Sequence, residues 1–229
     1  MTIDEVIRRI GEIGIIPVVR AATFDEARSA VEAISAGGIL IIEITMTVPN
    51  ASAVIRDVVR KYGGRLVTGA GTVATAASAE ACLDAGAEFL VSPGISLPVL
   101  RAAQARGKLA IPGALTPTEV MLAQSEGARL VKIFPCGNVG GPKYIKALRA
   151  PFPDLALIPT GGVNLANVAE YMSAGSFALG VGADLVDTTA LREGNVQKIT
   201  ETAKALIEAI RTARRPEYSL AAPPSQPGR

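Results

Sequence analysis

Lys132 lies inside an apolar run, Leu130-Val-Lys-Ile-Phe134, where a lysine is out of keeping with its neighbours. The other six lysines, Lys61, Lys108, Lys143, Lys146, Lys198 and Lys204, fall in segments of helical character or in the turns after them, where solvated charge is a sufficient explanation. Side chains alternate along a strand, so Lys132 shares one face with residues 130 and 134 while Val131 and Ile133 take the other. A lysine in such an interior is desolvated, which favours the free amine. A free amine attacks carbonyls, and the chemistry this suggests is a Schiff base. Glu43, in Ile41-Ile-Glu-Ile-Thr45, is the one carboxylate lodged within an expected strand. The same alternation points it inward with Ile41, Thr45 and Thr47. The bland alternative is a buried ion pair whose members merely satisfy each other. Such pairs are a poor route to stability, whereas perturbed ionisable groups gather in functional clefts.

The chain contains no histidine. That removes the usual general base, the Ser-His and Cys-His nucleophile pairs and the commonest transition-metal ligand, leaving Lys, Asp, Glu, Tyr, Ser, Thr or Cys to do any chemistry. Cys82 and Cys136 are too few for a disulfide framework or a cysteine-ligated zinc site and read as small buried fillers. No metal and no cofactor is expected. The 229 residues are 49% apolar with a net charge of +2, which fits a soluble globular protein. Aromatics at 4% and balanced charge supply neither the stacking platform nor the basic stripe of a nucleic-acid binder. No apolar run approaches the ~20 residues of a membrane span, and the start, Met1 to Arg9, is charged where a signal peptide is apolar. A cytoplasmic protein with no nucleic-acid or membrane partner is the expectation.

The elements that must position Lys132 and Glu43 follow from eight short apolar runs, at Ile15-Ile-Pro-Val-Val19, Ile39-Leu-Ile-Ile42, Leu66-Val-Thr68, Phe89-Leu-Val91, Leu109-Ala-Ile111, Leu130 to Phe134, Ala156-Leu-Ile-Pro159 and Phe177-Ala-Leu-Gly-Val181. Ala-rich helical segments separate them. Thr23-Phe-Asp-Glu26 and Thr116-Pro-Thr-Glu119 have the form of capping boxes, and glycines such as Gly37-Gly38, Gly86 and Gly127 stop helices before the next run. Strands apolar on both faces, joined by helices, call for a parallel sheet covered by helices. Eight such units favour an α/β fold of the (β/α)8 TIM-barrel type over an open doubly wound sheet. An extra N-terminal helix is expected near Ile3 to Ile10 and a last helix from about Asn195 to Ala213. The barrel is thus one domain over 1–213. The Pro-rich segment 214–229, opening on Arg214 and Arg215, reads as a disordered tail with solvated charges.

Active sites of such barrels lie at the carboxyl ends of the strands. The polar residues there include Arg20, Thr72, Pro93 in Ser92-Pro-Gly94, and Thr160. Two glycine clusters, Thr160-Gly161-Gly162 and Gly180-Val-Gly182, follow the seventh and eighth runs, where barrels of this type bind phosphate through backbone N–H groups. Any single glycine among them is explained as well by a tight turn. Their joint occurrence favours a phosphate site. Gly69-Ala-Gly71 is weaker, since small residues also suit a barrel interior.

With these residues assembled, the chain from about Ile15 to Val186 closely resembles the class I aldolases of the 2-keto-3-deoxy-6-phosphogluconate (KDPG) and 4-hydroxy-2-oxoglutarate (KHG) aldolase family. The motifs that carry the resemblance are Val131-Lys-Ile-Phe-Pro135, Gly140-Gly-Pro-Lys-Tyr-Ile-Lys-Ala-Leu148, Gly69-Ala-Gly-Thr-Val73, Ile42-Glu-Ile-Thr45, Val91-Ser-Pro-Gly94 and Ile158-Pro-Thr-Gly-Gly-Val163. The resemblance implies that Lys132 forms the Schiff base and that Glu43 is the acid/base, acting through a bound water. It also implies that Thr72 and Arg20 hold the pyruvate carboxylate, that Pro93 and Phe134 wall the site, and that Gly161, Gly162 and Gly182 carry the phosphate. A homotrimer and a role in carbohydrate metabolism of the Entner–Doudoroff type come with it. The chain departs from the pattern twice. Thr47 stands where some members carry an arginine, which shifts weight to Arg20, and Ala183 stands where many have a serine that donates to phosphate.

The activity so implied is cleavage of a 2-keto-4-hydroxy acid to pyruvate and an aldehyde. A rival from another reaction class is a phosphate-binding isomerase or epimerase, with Glu43 as base and Lys132 as electrophile but no covalent step. A barrel retained as a non-catalytic scaffold is a third. The intact set of Lys132, Glu43 and Thr72 argues against the last.

Overall fold

The computed structural model describes residues 1–214. The expectations for 215–229 lie outside the described residues. In chain order the elements are α1 (Ile3–Ile13), β1 (Ile15–Val19), α2 (Phe24–Ala36), β2 (Ile41–Thr45), α3 (Ala51–Tyr62), β3 (Val67–Gly71), α4 (Ala76–Asp84), β4 (Phe89–Val91), α5 (Leu97–Ala105) and β5 (Leu109–Ile111). There follow β6 (Gly113–Ala114), α6 (Pro117–Ser125), β7 (Leu130–Ile133), α7 (Pro142–Arg149), β8 (Ala156–Pro159), α8 (Val168–Ser173), β9 (Leu179–Val181), α9 (Thr188–Arg192) and α10 (Val196–Ala213).

This is an α/β fold whose parallel strands make a half-barrel. One sheet has six strands in the order β5-β4-β3-β2-β1-β9, and a second has three in the order β6-β7-β8. The fifth apolar run forms β5 alone; past Pro112, which has no N–H to give to a ladder, Gly113 and Ala114 add β6 to the second sheet. The chain therefore passes from one sheet to the other at that residue. At the opposite margin a parallel bridge joins Thr160 to Gly180, and the Phe177 N–H donates to the Leu157 carbonyl over 2.9 Å. β2 and β3 start later and reach further than their apolar runs, since the ladder extends through Thr45 and Gly71.

Alternation sorts the strand residues into two cores. Ile16, Ile41, Val67, Phe89, Leu109, Leu130 and Ile158 form one cluster, closed from below by Val6, Ile7 and Ile10 of α1. Their neighbours Ile15, Ile42, Ile44, Leu90, Val131, Ile133 and Leu157 join the other, packed on the helices. Each such side chain, fully buried, stabilises the fold by about 1.5–3 kcal/mol.

The helix starts follow the chemistry of their caps. Thr116 and Glu119 make the full reciprocal box at α6, with Pro117 in the first turn. Thr23 accepts from the Glu26 N–H, but the Glu26 carboxylate takes the Ala22 N–H one residue earlier than a box requires. Arg214 is not a solvated tail charge. It is half-buried, and its guanidinium donates to the Gly11 and Glu12 carbonyls, satisfying free acceptors near the end of α1. Among the described residues no helix is long and apolar enough to cross a membrane.

Candidate active site

β7 and β2 carry the two ionisable side chains into the interior from opposite sheets. Lys132 is 4% exposed and Glu43 is 2% exposed. Lys132 Nζ stands 4.0 Å from Glu43 Oε1, beyond a direct hydrogen bond but within ion-pair range. It also lies 5.2 Å from the centroid of the Phe134 ring, which follows on the same face. Glu43 Oε1 is buried without a hydrogen-bond partner among the described residues. Burial pushes the Glu43 carboxyl above the usual carboxylate range, and the charges of Lys132 and Arg20 pull against that. A buried amine and a buried carboxyl with an unclaimed oxygen thus meet in one space.

The space for the Glu43 carboxyl is made by Gly71, the last residue of Gly69-Ala-Gly71. β2 and β3 pair with Glu43 opposite Gly69 and Thr45 opposite Gly71. A Cβ on Gly69 would overlap the Phe89 ring, and one on Gly71 would overlap the Glu43 carboxyl. Two hollows on one strand face are therefore filled, one by an aromatic and one by the acid. The signal in the sequence was the pair of small residues two apart, but their use depends on the register of the next strand.

Thr72 follows directly, at φ +57°, a left-handed conformation costly for a β-branched residue and of the kind that persists at functional sites. Arg20 Nη1 donates to Thr47 Oγ1 at 3.4 Å, and among the described residues no hydrogen bond joins it to Thr72. Pro93 is exposed at the strand ends, and its carbonyl rests against Gly113, where a Cβ would overlap it. Thr160 is buried, faces Gly180, and spends its hydroxyl on the Ile158 carbonyl at 3.4 Å.

The glycines of the expected phosphate site leave neighbouring strands. Gly161 and Gly162 have φ of +87° and +80°, so their backbone path requires glycine. A Cβ on Gly161 would lie 3.5 Å from the Phe134 ring, which ties this loop to Lys132. Asn167, missed in the sequence, pins the loop: its Nδ2 donates to the Gly162 carbonyl at 2.7 Å and its Oδ1 accepts from the Asn164 N–H at 2.9 Å. Gly182 differs, since a Cβ there would meet no atom of the described residues within 4 Å. Cys82 and Cys136 are buried, and burial pushes each thiol up to about 11, which keeps them inert near neutrality.

Residues 3–202 match the sequence profile of the KDPG and KHG aldolases. The chain belongs to the KDPG and KHG aldolase family. It is a class I aldolase, and so a lyase. It is 35% identical over 204 residues to the 2-dehydro-3-deoxy-6-phosphogalactonate aldolase of Escherichia coli K12, covering 88% of this chain and 97% of that one. Identity is 32% over 197 residues to the KHG/KDPG aldolase of the same organism, covering 86% and 92%. Among solved structures, the KDPG aldolase of Legionella pneumophila, with pyruvate captured at low pH as a covalent carbinolamine intermediate, superposes with a TM-score of 0.81. It is 31% identical, and the match covers 87% of this aldolase and 97% of that chain.

Proposed function

We propose that this aldolase cleaves 2-keto-3-deoxy-6-phosphogluconate to pyruvate and glyceraldehyde 3-phosphate, with 4-hydroxy-2-oxoglutarate, giving pyruvate and glyoxylate, as a second substrate. The observation that carries the reading is the buried Lys132 and Glu43 pair, 4.0 Å apart, with Glu43 Oε1 unpartnered. The Lys132 amine adds to the C2 ketone, giving a carbinolamine, and loss of water leaves a protonated imine. Glu43, through a bound water, takes the C4 hydroxyl proton. The C3–C4 electron pair moves into the imine as the aldehyde leaves, and the resulting enamine is protonated at C3 by the same acid. Hydrolysis then frees pyruvate and restores the amine. Arg20 and Thr72 hold the carboxylate, Pro93 and Phe134 wall the site, and Thr160, Gly161, Gly162 and Gly182 receive the phosphate. The captured carbinolamine of the Legionella relative supports the covalent step. The relative named for the galactonate derivative makes the C4 epimer the first alternative substrate to assay.

We also propose that the two sheets form one closed (β/α)8 barrel, entered after α1. The passage at Pro112 and the Thr160 to Gly180 bridge support it. A homotrimer rests on the family resemblance, and light scattering on the purified chain tests it.

The covalent reading is tested by incubating the protein with pyruvate, reducing with borohydride and mapping the added mass. Label confined to Lys132, and absent from Lys132→Met, is expected. A protein that binds sugar phosphates but is never labelled would overturn the reading in favour of proton transfer without an imine.

A further inference from the structure

The rim above Glu43 holds a chain of hydroxyls whose direction is fixed by its last acceptor. Thr45 Oγ1 lies 3.0 Å from the Val19 carbonyl oxygen. A carbonyl only accepts, so the single hydroxyl hydrogen of Thr45 is committed there. Thr47 Oγ1 is 2.7 Å from Thr45 Oγ1, and with Thr45 having no hydrogen left, Thr47 must be the donor. The Thr47 oxygen then presents only lone pairs, and Arg20 Nη1 donates to it at 3.4 Å. The order Arg20 to Thr47 to Thr45 to Val19 satisfies every member. Its far end is anchored, because Thr45 has no solvent exposure and sits in the β2 and β3 ladder opposite Gly71.

We propose that Thr47, held by Thr45, is a positioning residue that aims the Arg20 guanidinium so that its free edge receives the substrate carboxylate. This rests on the reading above, in which Arg20 binds the carboxylate of a 2-keto acid. A guanidinium has five N–H donors in a planar fork. One is used on Thr47, and the rest can still grip a carboxylate through two parallel bonds. Arg20 is exposed, so without this tether a long side chain would sample many directions before binding. Thr47 thus contributes by direction, in the turn just past β2, what a second cation at that position would contribute by charge. The ligand class it selects is a 2-keto acid with a free carboxylate, against the corresponding ester or ketone.

The experiment is borohydride capture at Lys132 as a function of ketone concentration, using the full chain with pyruvate and with methyl pyruvate. Thr47 is exposed, so Thr47→Val leaves the packed core untouched. The variant is expected to need about tenfold more pyruvate for half-maximal capture, equal to about 1.4 kcal/mol. Maximal capture and kcat should stay within about twofold. Methyl pyruvate should respond alike in both proteins, and Thr47→Ser, which keeps the hydroxyl, should restore the wild-type requirement. The proposal is overturned if Thr47→Val saturates with pyruvate as the wild type does, or if acid and ester weaken equally. Should the wild type itself never be captured, the covalent reading fails separately. Calorimetric binding of pyruvate then decides this one, with the same tenfold weakening in Thr47→Val required and equal affinities refuting it.

Discussion

Gly71→Ala isolates the contribution of Glu43 from that of Lys132. A Cβ at Gly71 would stand 2.5 Å from Glu43 Cδ and 2.6 Å from its Cγ, and nearer still to Oε1. Unbonded carbons settle at about 3.5 Å or more, so the carboxyl has to retreat by about 1 Å. A misplacement of that size at a reacting group costs on the order of 100-fold, or about 2.7 kcal/mol of barrier. Lys132 is carried by β7 in the other sheet, so imine formation should survive. The assay pairs two readouts. Exchange of the pyruvate methyl protons into heavy water, followed by NMR, needs both the imine and the base, whereas borohydride capture needs the imine alone. Exchange is expected to fall about 100-fold with capture within about threefold of wild type. Overpacking should also cost about 1–3 kcal/mol of stability, visible as a lower melting temperature. Gly69→Ala is the control on the same strand face, because its Cβ meets the Phe89 ring and not the acid. It should lose stability without a selective loss of exchange. Wild-type exchange in Gly71→Ala, or loss of exchange and capture together, would refute the reasoning.

Glu43 also gives a signature in stability against pH. Its folded-state carboxyl is raised above the ordinary 4.5, chiefly by burial, so the native state holds that proton more tightly than the unfolded chain. Its contribution to stability is then present below 4.5 and is lost as pH rises through the raised value. Urea unfolding should show the stability of wild type relative to Glu43→Gln declining from pH 4 toward neutrality, and parallel curves would contradict the assignment. Gly182→Ala probes the phosphate end: with no atom of the described residues within 4 Å of the new Cβ, its melting temperature should stay within about 2 °C of wild type. Half-saturation by a phosphorylated 2-keto-4-hydroxy acid should rise about tenfold while that for pyruvate is unchanged, and an equal effect on both would remove the phosphate from that position.

Period-two alternation was legible because it is a property of one strand at a time. It assigned Leu130 and Lys132 to one face and Val131 and Ile133 to the other, and the two cores divide along that line. Caps were legible for the same reason: Thr116 and Glu119 complete their box within four residues. What escaped was set by relations between strands or between distant segments. The change of sheet at Pro112, just past the fifth run, depends on which neighbours stand on either side of it, β4 for Ile111 and β7 for Gly113. Arg214 finds its acceptors at Gly11 and Glu12, on the first helix, a separation that no local pattern reports. Asn167 carries no local signal of its role, because its amide holds the Gly162 carbonyl only once the loop is folded.

The direction of Glu43 has the same origin. Alternation states only that Glu43 points inward. In register its neighbour is Gly69, and a carboxyl in that hollow would lie one step lower along β3. Phe89, a buried aromatic on the next strand over, fills the hollow at Gly69 and leaves the one at Gly71. The acid is thereby directed toward the carboxyl ends of the strands, where Thr72 and the glycine loops stand, instead of down into the apolar layer closed by α1. The Phe89 ring therefore helps decide which way the Glu43 carboxyl points. Three strands must be aligned before this can be read: β2 for the acid, β3 for the two hollows and β4 for the ring that occupies the wrong one.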